Sequence, residues 1–240
     1  MNEEKDPDAH WVAELAGVPP AAARSAIDEA SNERSLYRHL AREHRAEGRH
    51  SYIEIDAPLE LYALAQLLRP RHVIEVGVSS GVSSAYLLAA LERNGAGVLH
   101  SVDRPSQPRS PVGSRGGASW TLPPGRTSGW AIPPSLRGRW DLRIGDKARV
   151  LPLLVKELPA VELFVYDVPH DCLRSAREFR ALDPLLPKGA VAIVDHGPGG
   201  GLCTALRGWA TRRGSRPVRR TGLGLFGMQC GTPLSAGAVT

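Results

Sequence analysis

The chain has 240 residues, 42% of them hydrophobic and 23% charged, with 25 Gly and 20 Pro. This suits one α/β core with flexible trimmings and is short for two full domains. The net charge of +5 arises from acidic and basic residues interspersed along the chain, and no run approaches the ~20 apolar residues of a membrane span. Neither a nucleic-acid protein nor a membrane protein is the first expectation.

From Asp8 to Glu47 the pattern is helical. Trp11, Leu15 and Val18 recur at near-helical spacing, and Ala21–Ala30 and Leu36–His44 contain few breakers. Residues 1–57 therefore read as an N-terminal helical cap. Pro58 opens a further helix over Leu59–Leu68, and Pro70 ends it.

Strands and helices then alternate. Strands are predicted at His72–Val76, Val98–Val102, Asp141–Ile144, Leu163–Val165 and Ala190–Val194, and helices at Ser83–Asn94, Ala148–Leu158 and Cys172–Leu182. A last helix ends at Arg207–Arg213. The runs Val218–Thr221 and Gly224–Met228, separated by Gly222 and Leu223, read as an antiparallel hairpin at the sheet edge. The expected fold is a Rossmann-like, doubly wound, mostly parallel seven-stranded sheet over residues 58–230, with that hairpin at its end. The Pro-, Gly- and Ser-rich stretch 104–136, carrying Trp120 and Trp130, reads as a lid or a flexible insert. Residues 231–240 read as a disordered tail.

Three cysteines, Cys172, Cys203 and Cys230, show no C-x-x-C spacing and form no even set, which argues against a zinc ribbon or a disulfide scaffold. With a polar, acidic N-terminus, this points to a cytoplasmic protein. The arginines 207, 212, 213, 216, 219 and 220 cluster near the C-terminus and read as a solvated face.

The most informative stretch is Glu75-Val76-Gly77-Val78-Ser79-Ser80-Gly81, where an apolar strand passes through two glycines into a helix. Glycine permits a tight turn and a close ligand, and the helix N-terminus offers unpaired N–H groups. Asp103, at the end of the next strand, can accept hydrogen bonds from both ribose hydroxyls. A dinucleotide site would prefer G-x-G-x-x-G, so NAD is the weaker reading. Two further strands end in acid and imidazole: Asp167 with His170, and Asp195 with His196. In a parallel sheet these ends share the edge that holds Gly77.

In the phrases HVIEVGVSSGVSSAYLLAAL, GWAIPPSLRGRWDLRIGDKARVLPLL, ELFVYDVPHD and LLPKGAVAIVDHG, over roughly Pro58–Pro198, the chain resembles the class I S-adenosylmethionine (SAM)-dependent methyltransferases. Within them it is similar to the small O-methyltransferase group with cephalosporin-hydroxylase-type relatives. The resemblance implies SAM as cofactor and a small hydroxylated molecule as acceptor. Association into a homo-oligomer is a further expectation.

By that resemblance Glu75, Gly77 and Gly81 line the methionine and ribose side of SAM, with Val78, Ser79 and Ser80 in the same turn. Asp103 holds the ribose, and Asp167 borders the cofactor. Asp146 falls on the adenine-side loop, although capping of the helix after it is an equally good role. Two mechanisms remain open. Asp167, Asp195 and His196 could hold a divalent ion such as Mg that lowers the pKa of the acceptor hydroxyl, although His196 stands where metal-dependent relatives carry a carboxylate or amide. Alternatively His170 or His196 could act as general base in a catalytic set with Asp167, a nearby aspartate fixing the tautomer. A SAM-binding protein without catalysis and a nucleic-acid methyltransferase are the competing readings. The second lacks the Asn/Asp-Pro-Pro-aromatic run at Asp167-Val168-Pro169-His170.

Overall fold

The computed structural model describes residues 6–47, 58–104, 122–168, 172–195, 201–220 and 225–231. The N-terminal helical pattern resolves into three helices, α1 (Pro7–Ala16), α2 (Pro20–Ser31) and α3 (Arg34–Ala46). Local chemistry sets the breaks. The Asp6 carboxylate accepts from the Asp8 amide and Pro7 fills the first helical position of α1, while Gly17 ends that helix in the left-handed region.

Next come α4 (Pro58–Leu68), β1 (His72–Val76), α5 (Val82–Asn94), β2 (Val98–Asp103) and β3 (Trp140–Ile144). The rest is α6 (Lys147–Glu157), β4 (Leu163–Tyr166), α7 (Cys172–Leu182), β5 (Val191–Asp195), α8 (Thr204–Arg212), β6 (Val218–Arg219) and β7 (Leu225–Gln229). The strands form one seven-stranded sheet in the order β3-β2-β1-β4-β5-β7-β6. Pairings among β1 to β5 are parallel, and β7 runs antiparallel to both β5 and β6. This is the expected Rossmann-like architecture with its terminal antiparallel pair. Gly222 and Leu223 lie outside the described residues.

Alternation along each strand divides the core into two layers. On one face Val73, Leu99, Leu163, Val165 and Ile193 pack with apolar residues of α1, α2, α4 and α5. On the other Ile74, Val76, Phe164, Tyr166 and Val194 pack with α6, α7 and α8, where Phe179 and Trp209 meet edge to face at 4.9 Å between ring centroids. All three helices of the cap contribute to the first layer, α3 through Leu36 and Leu40. Trp11 donates its indole N–H to the Val218 carbonyl at 3.1 Å, and an added Cβ on Gly227 would lie 2.2 Å from Leu15.

Two sequence expectations are corrected here. Arg213 is buried, its guanidinium donating to the Leu186 carbonyl. The Arg220 guanidinium pairs with Glu60 at 2.5 Å and with Asp8 at 2.8 Å. The C-terminal arginines are therefore not one solvated face, because two of them neutralise or satisfy groups beneath the surface. The cysteines also pair in part. Cys172 at the start of α7 and Cys203 at the head of α8 form a disulfide across 31 residues of chain, leaving Cys230 free and buried.

The β2-to-β3 crossover carries no α-helix among its described residues. Its second half is irregular, with a 3-10 turn at Pro134–Arg139, and it docks on the head of α5. Ala131 and Ile132 are wholly buried in the first core layer. Trp120 lies outside the described residues. Trp130 is partly buried against that layer, with the His44 ring of α3 at 4.9 Å and the Arg126 guanidinium 5.2 Å over its own ring.

Candidate functional site

Strand order reverses between β1 and β4, because β2 and β3 lie to one side of β1 and β5 lies beyond β4. Connections diverge at such a point and leave a crevice beyond the strand ends. The register brings the candidate residues to it at one level. Val76 is level with Val102 and with Tyr166, and Tyr166 is level with Val194. The residues immediately beyond, Gly77, Asp103, Asp167 and Asp195, therefore line one edge of the sheet.

The turn is built on close approach. Gly77 has φ +96°, and a Cβ there would lie 1.8 Å from the Asp167 carbonyl oxygen. Gly81 has φ +92°, and a Cβ there would lie 2.6 Å from Ile132 and 2.8 Å from the Cα of Gly129. Both glycines answer to neighbouring backbone as well as to any ligand, a requirement that the sequence motif alone does not reveal. Ser79 is left-handed (φ +51°) and exposed, Ser80 is half-buried and Val78 is buried. Gly81 caps α5 without a side-chain acceptor, so the first amides of that helix remain donors at the crevice.

Glu75 does not face the crevice with its carboxylate. It is wholly buried and accepts hydroxyls from Ser83 at 2.7 Å, Ser84 at 2.5 Å and Ser101 at 2.8 Å. Burial raises its pKa, and the three hydroxyls oppose that rise. Held against the positive end of α5, Glu75 fixes the turn from behind.

Asp103 is half-exposed. Its Oδ1 accepts the Arg104 amide at 2.9 Å, and its Oδ2 accepts the Ser79 amide at 3.3 Å and the Ser128 hydroxyl at 2.5 Å. Asp146 caps α6 by accepting the Ala148 amide at 2.9 Å and pairs with the Arg104 guanidinium at 3.0 Å. The Ala148 amide first, then Arg104, holds its carboxyl below the usual range. Asp146 thus has the capping role that the sequence allows, with Arg104 as a second partner.

Asp167 is exposed at the centre of the edge. Partial desolvation by the strand ends around it, with the carboxylates of Asp195, Glu75 and Asp103 near it, pushes its pKa up to about 7. Asp167 therefore keeps a proton more readily than an isolated aspartate. Asp195 is half-buried at the end of β5. His170 and His196 lie outside the described residues. Among the described residues no group of three or more His, Cys, Asp or Glu is arranged to hold a metal ion. None of their helices is long and apolar enough to cross a membrane.

Sequence reasoning missed Ser128. It lies 25 residues from Asp103, inside a stretch without periodicity. Gly129 beside it is the one local signal, since a Cβ there would lie 2.2 Å from the Trp140 ring.

Known proteins resemble this chain in family and fold. A family described as a methyltransferase domain matches residues 74–196, just over half of the chain. Among solved structures, a methyltransferase of Geobacter sulfurreducens superposes with a TM-score of 0.55 at 14% identity, covering 82% of this chain and 88% of that one. The O-methyltransferase TomG of Streptomyces achromogenes, involved in tomaymycin synthesis and solved with SAM, gives 0.53 at 19%, covering 82% and 89%. An O-methyltransferase of Bacillus cereus, solved with SAH, gives 0.52 at 14%, covering 82% and 91%. Likeness at these identities speaks for the fold. No curated protein matches the chain. The family match over β1 to β5, on a seven-stranded sheet of this order, places the chain in the methyltransferase-domain family, with a class I architecture.

Proposed function

We propose that the chain transfers a methyl group from SAM to a hydroxyl of a small molecule. The observation that carries this reading is the line of Gly77, Asp103, Asp167 and Asp195 at the reversal of strand order. One end of that line suits a nucleoside and the other a proton acceptor.

Asp103 retains acceptor capacity on Oδ1 for ribose hydroxyls, and the uncapped amides of α5 suit a carboxylate. SAM supplies a methyl group on a sulfonium that is already a good leaving group. The acidic edge favours a cation there. Asp167 then serves as the proton acceptor for the hydroxyl, its raised pKa matching a base that works near neutrality. As the acceptor oxygen bonds to the methyl carbon, the carbon–sulfur bond breaks, the thioether leaves neutral, and the hydroxyl proton passes to Asp167. Positioning supplies most of the acceleration.

Asp167 and Asp195 are the carboxylates that the described residues offer to a divalent ion at this edge, and no step is assigned to one.

The test is calorimetric titration with SAM, followed by methyl transfer to a panel of hydroxylated compounds with and without chelator. SAM binding with chelator-resistant transfer is expected. Absence of SAM binding refutes the reading, and chelator-sensitive transfer refutes the metal-free mechanism. Asp103→Ala should weaken SAM binding, whereas Asp167→Asn should spare binding and lower turnover.

A further inference from the structure

We infer that Ser128 is a positioning residue for the cofactor ribose, acting through Asp103. This inference rests on the proposed SAM site.

Its hydroxyl donates to Asp103 Oδ2 at 2.5 Å, and the residue is 3% exposed. The segment that carries it is fixed to the glycine turn at two points: Gly129 N–H donates to the Ser79 carbonyl at 2.8 Å, and Ala131 N–H to the Ser80 carbonyl at 3.0 Å. Ala131 and Ile132 then anchor the segment in the core. Ser128 is thus a fixture of the turn and not a side chain resting on the carboxylate until a ligand displaces it.

Acceptor capacity gives the hydroxyl a specific task. An ionised carboxylate offers about four lone-pair sites. On Asp103 the Arg104 amide takes one site on Oδ1, and Oδ2 receives Ser128 together with the Ser79 amide at 3.3 Å. One site on Oδ1 stays open, and the long Ser79 contact is the one most readily yielded. Two ribose hydroxyls can therefore be received while Ser128 holds the rotation of the carboxylate. Without Ser128 the Asp103 carboxylate keeps only the Arg104 amide on Oδ1 and the long Ser79 contact on Oδ2, so its rotation is less firmly held, and ordering it on binding weakens the ligand.

The crossover from β2 to β3 contributes this hydroxyl from irregular chain. A segment of that kind can deliver one side chain to the end of β2 because it is tied to the turn on the next strand.

The experiment compares wild type, Ser128→Ala and Ser128→Thr by calorimetry with SAM, and with the pair adenosine and 2′,3′-dideoxyadenosine. Ser128→Ala should weaken SAM roughly ten-fold, as expected for a hydrogen bond to a charged group, and Ser128→Thr should restore most of the loss. The loss should appear with adenosine and vanish with the dideoxynucleoside, because the two deletions act on one interaction. Equal weakening of both nucleosides overturns the inference in favour of a general loosening of the turn. Unchanged or tighter SAM binding by Ser128→Ala overturns it as well. If wild type binds no SAM, the parent reading falls and takes this one with it, an outcome distinct from SAM binding that Ser128→Ala leaves intact.

Discussion

Removing the Cys172–Cys203 bond should cost the protein a large part of its stability. The bond closes a loop of 31 residues in sequence separation, containing α7 and β5. In the chain-entropy treatment a loop of this length restricts the unfolded state by roughly 3.7 kcal/mol, against total stabilities of about 5–15 kcal/mol for single domains. With a urea slope near the upper end of the usual range, about 3 kcal/mol/M, the midpoint should fall by about 1.2 M on reduction. Cys172→Ser is the cleaner variant. Cys203 is the N-cap of α8 with no side-chain cap bond, and a serine there would add a capping hydroxyl worth about 0.5–2 kcal/mol and mask part of the loss. Unfolding can be followed through tryptophan fluorescence, since Trp209 is wholly buried. Thiol counting in denaturant gives an independent check, with one reactive cysteine expected before reduction and three after. Three reactive thiols without reductant, or a midpoint that reduction does not move, would falsify the argument.

Other consequences follow from single contacts. Gly77→Ala should destabilise by roughly 3 kcal/mol or prevent folding, since it adds left-handed strain to a clash with the Asp167 carbonyl; a urea midpoint near wild type would contradict this. Arg220→Ala leaves the buried Glu60 without its guanidinium and should cost about 3–5 kcal/mol, with Glu60→Gln in the same chain recovering part of the loss in thermal melts. Asp167 gives a pH signature in the ligand-free protein. Its folded pKa lies above the ordinary 3.8, at about 7, so its contribution is favourable below about pH 4 and is lost as pH rises toward 7. Asp167→Asn should flatten that part of the stability profile, and an unchanged slope would show that Asp167 titrates normally. Methyl transfer should rise over the same interval as the carboxylate becomes available as a base.

The arrangement of elements was legible in the sequence because it rests on local signals. The alternation of apolar strands and amphipathic helices marks a parallel sheet, and the break from Val76 through Gly77 and Gly81 into α5 marks the crevice. Strand ends at Asp103, Asp167 and Asp195 follow from the same periodicity, to within a residue of the observed limits. The N-terminal helical pattern and the start of α4 at Pro58 are local signals of the same kind, whereas the breaks at Gly17 and Pro20 emerged with the structure.

What the sequence could not carry is contact between distant segments. Glu75 looks like a ligand-facing acid, but three hydroxyls from two elements close around it. Gly77 and Gly81 read as room for a ligand, whereas the backbone of Asp167 and the Gly129–Ile132 segment also occupy that side. Cys172 meets Cys203 only after β5 returns the chain to the same edge, and Arg220 finds Glu60 across 160 residues. Ser128 sits in chain with no period to betray its partner. Hydrophobic periodicity records which face of an element is buried, and so it fixes the sheet and its active edge. Which polar group completes another depends on how those faces pack, and only the tertiary structure decides it.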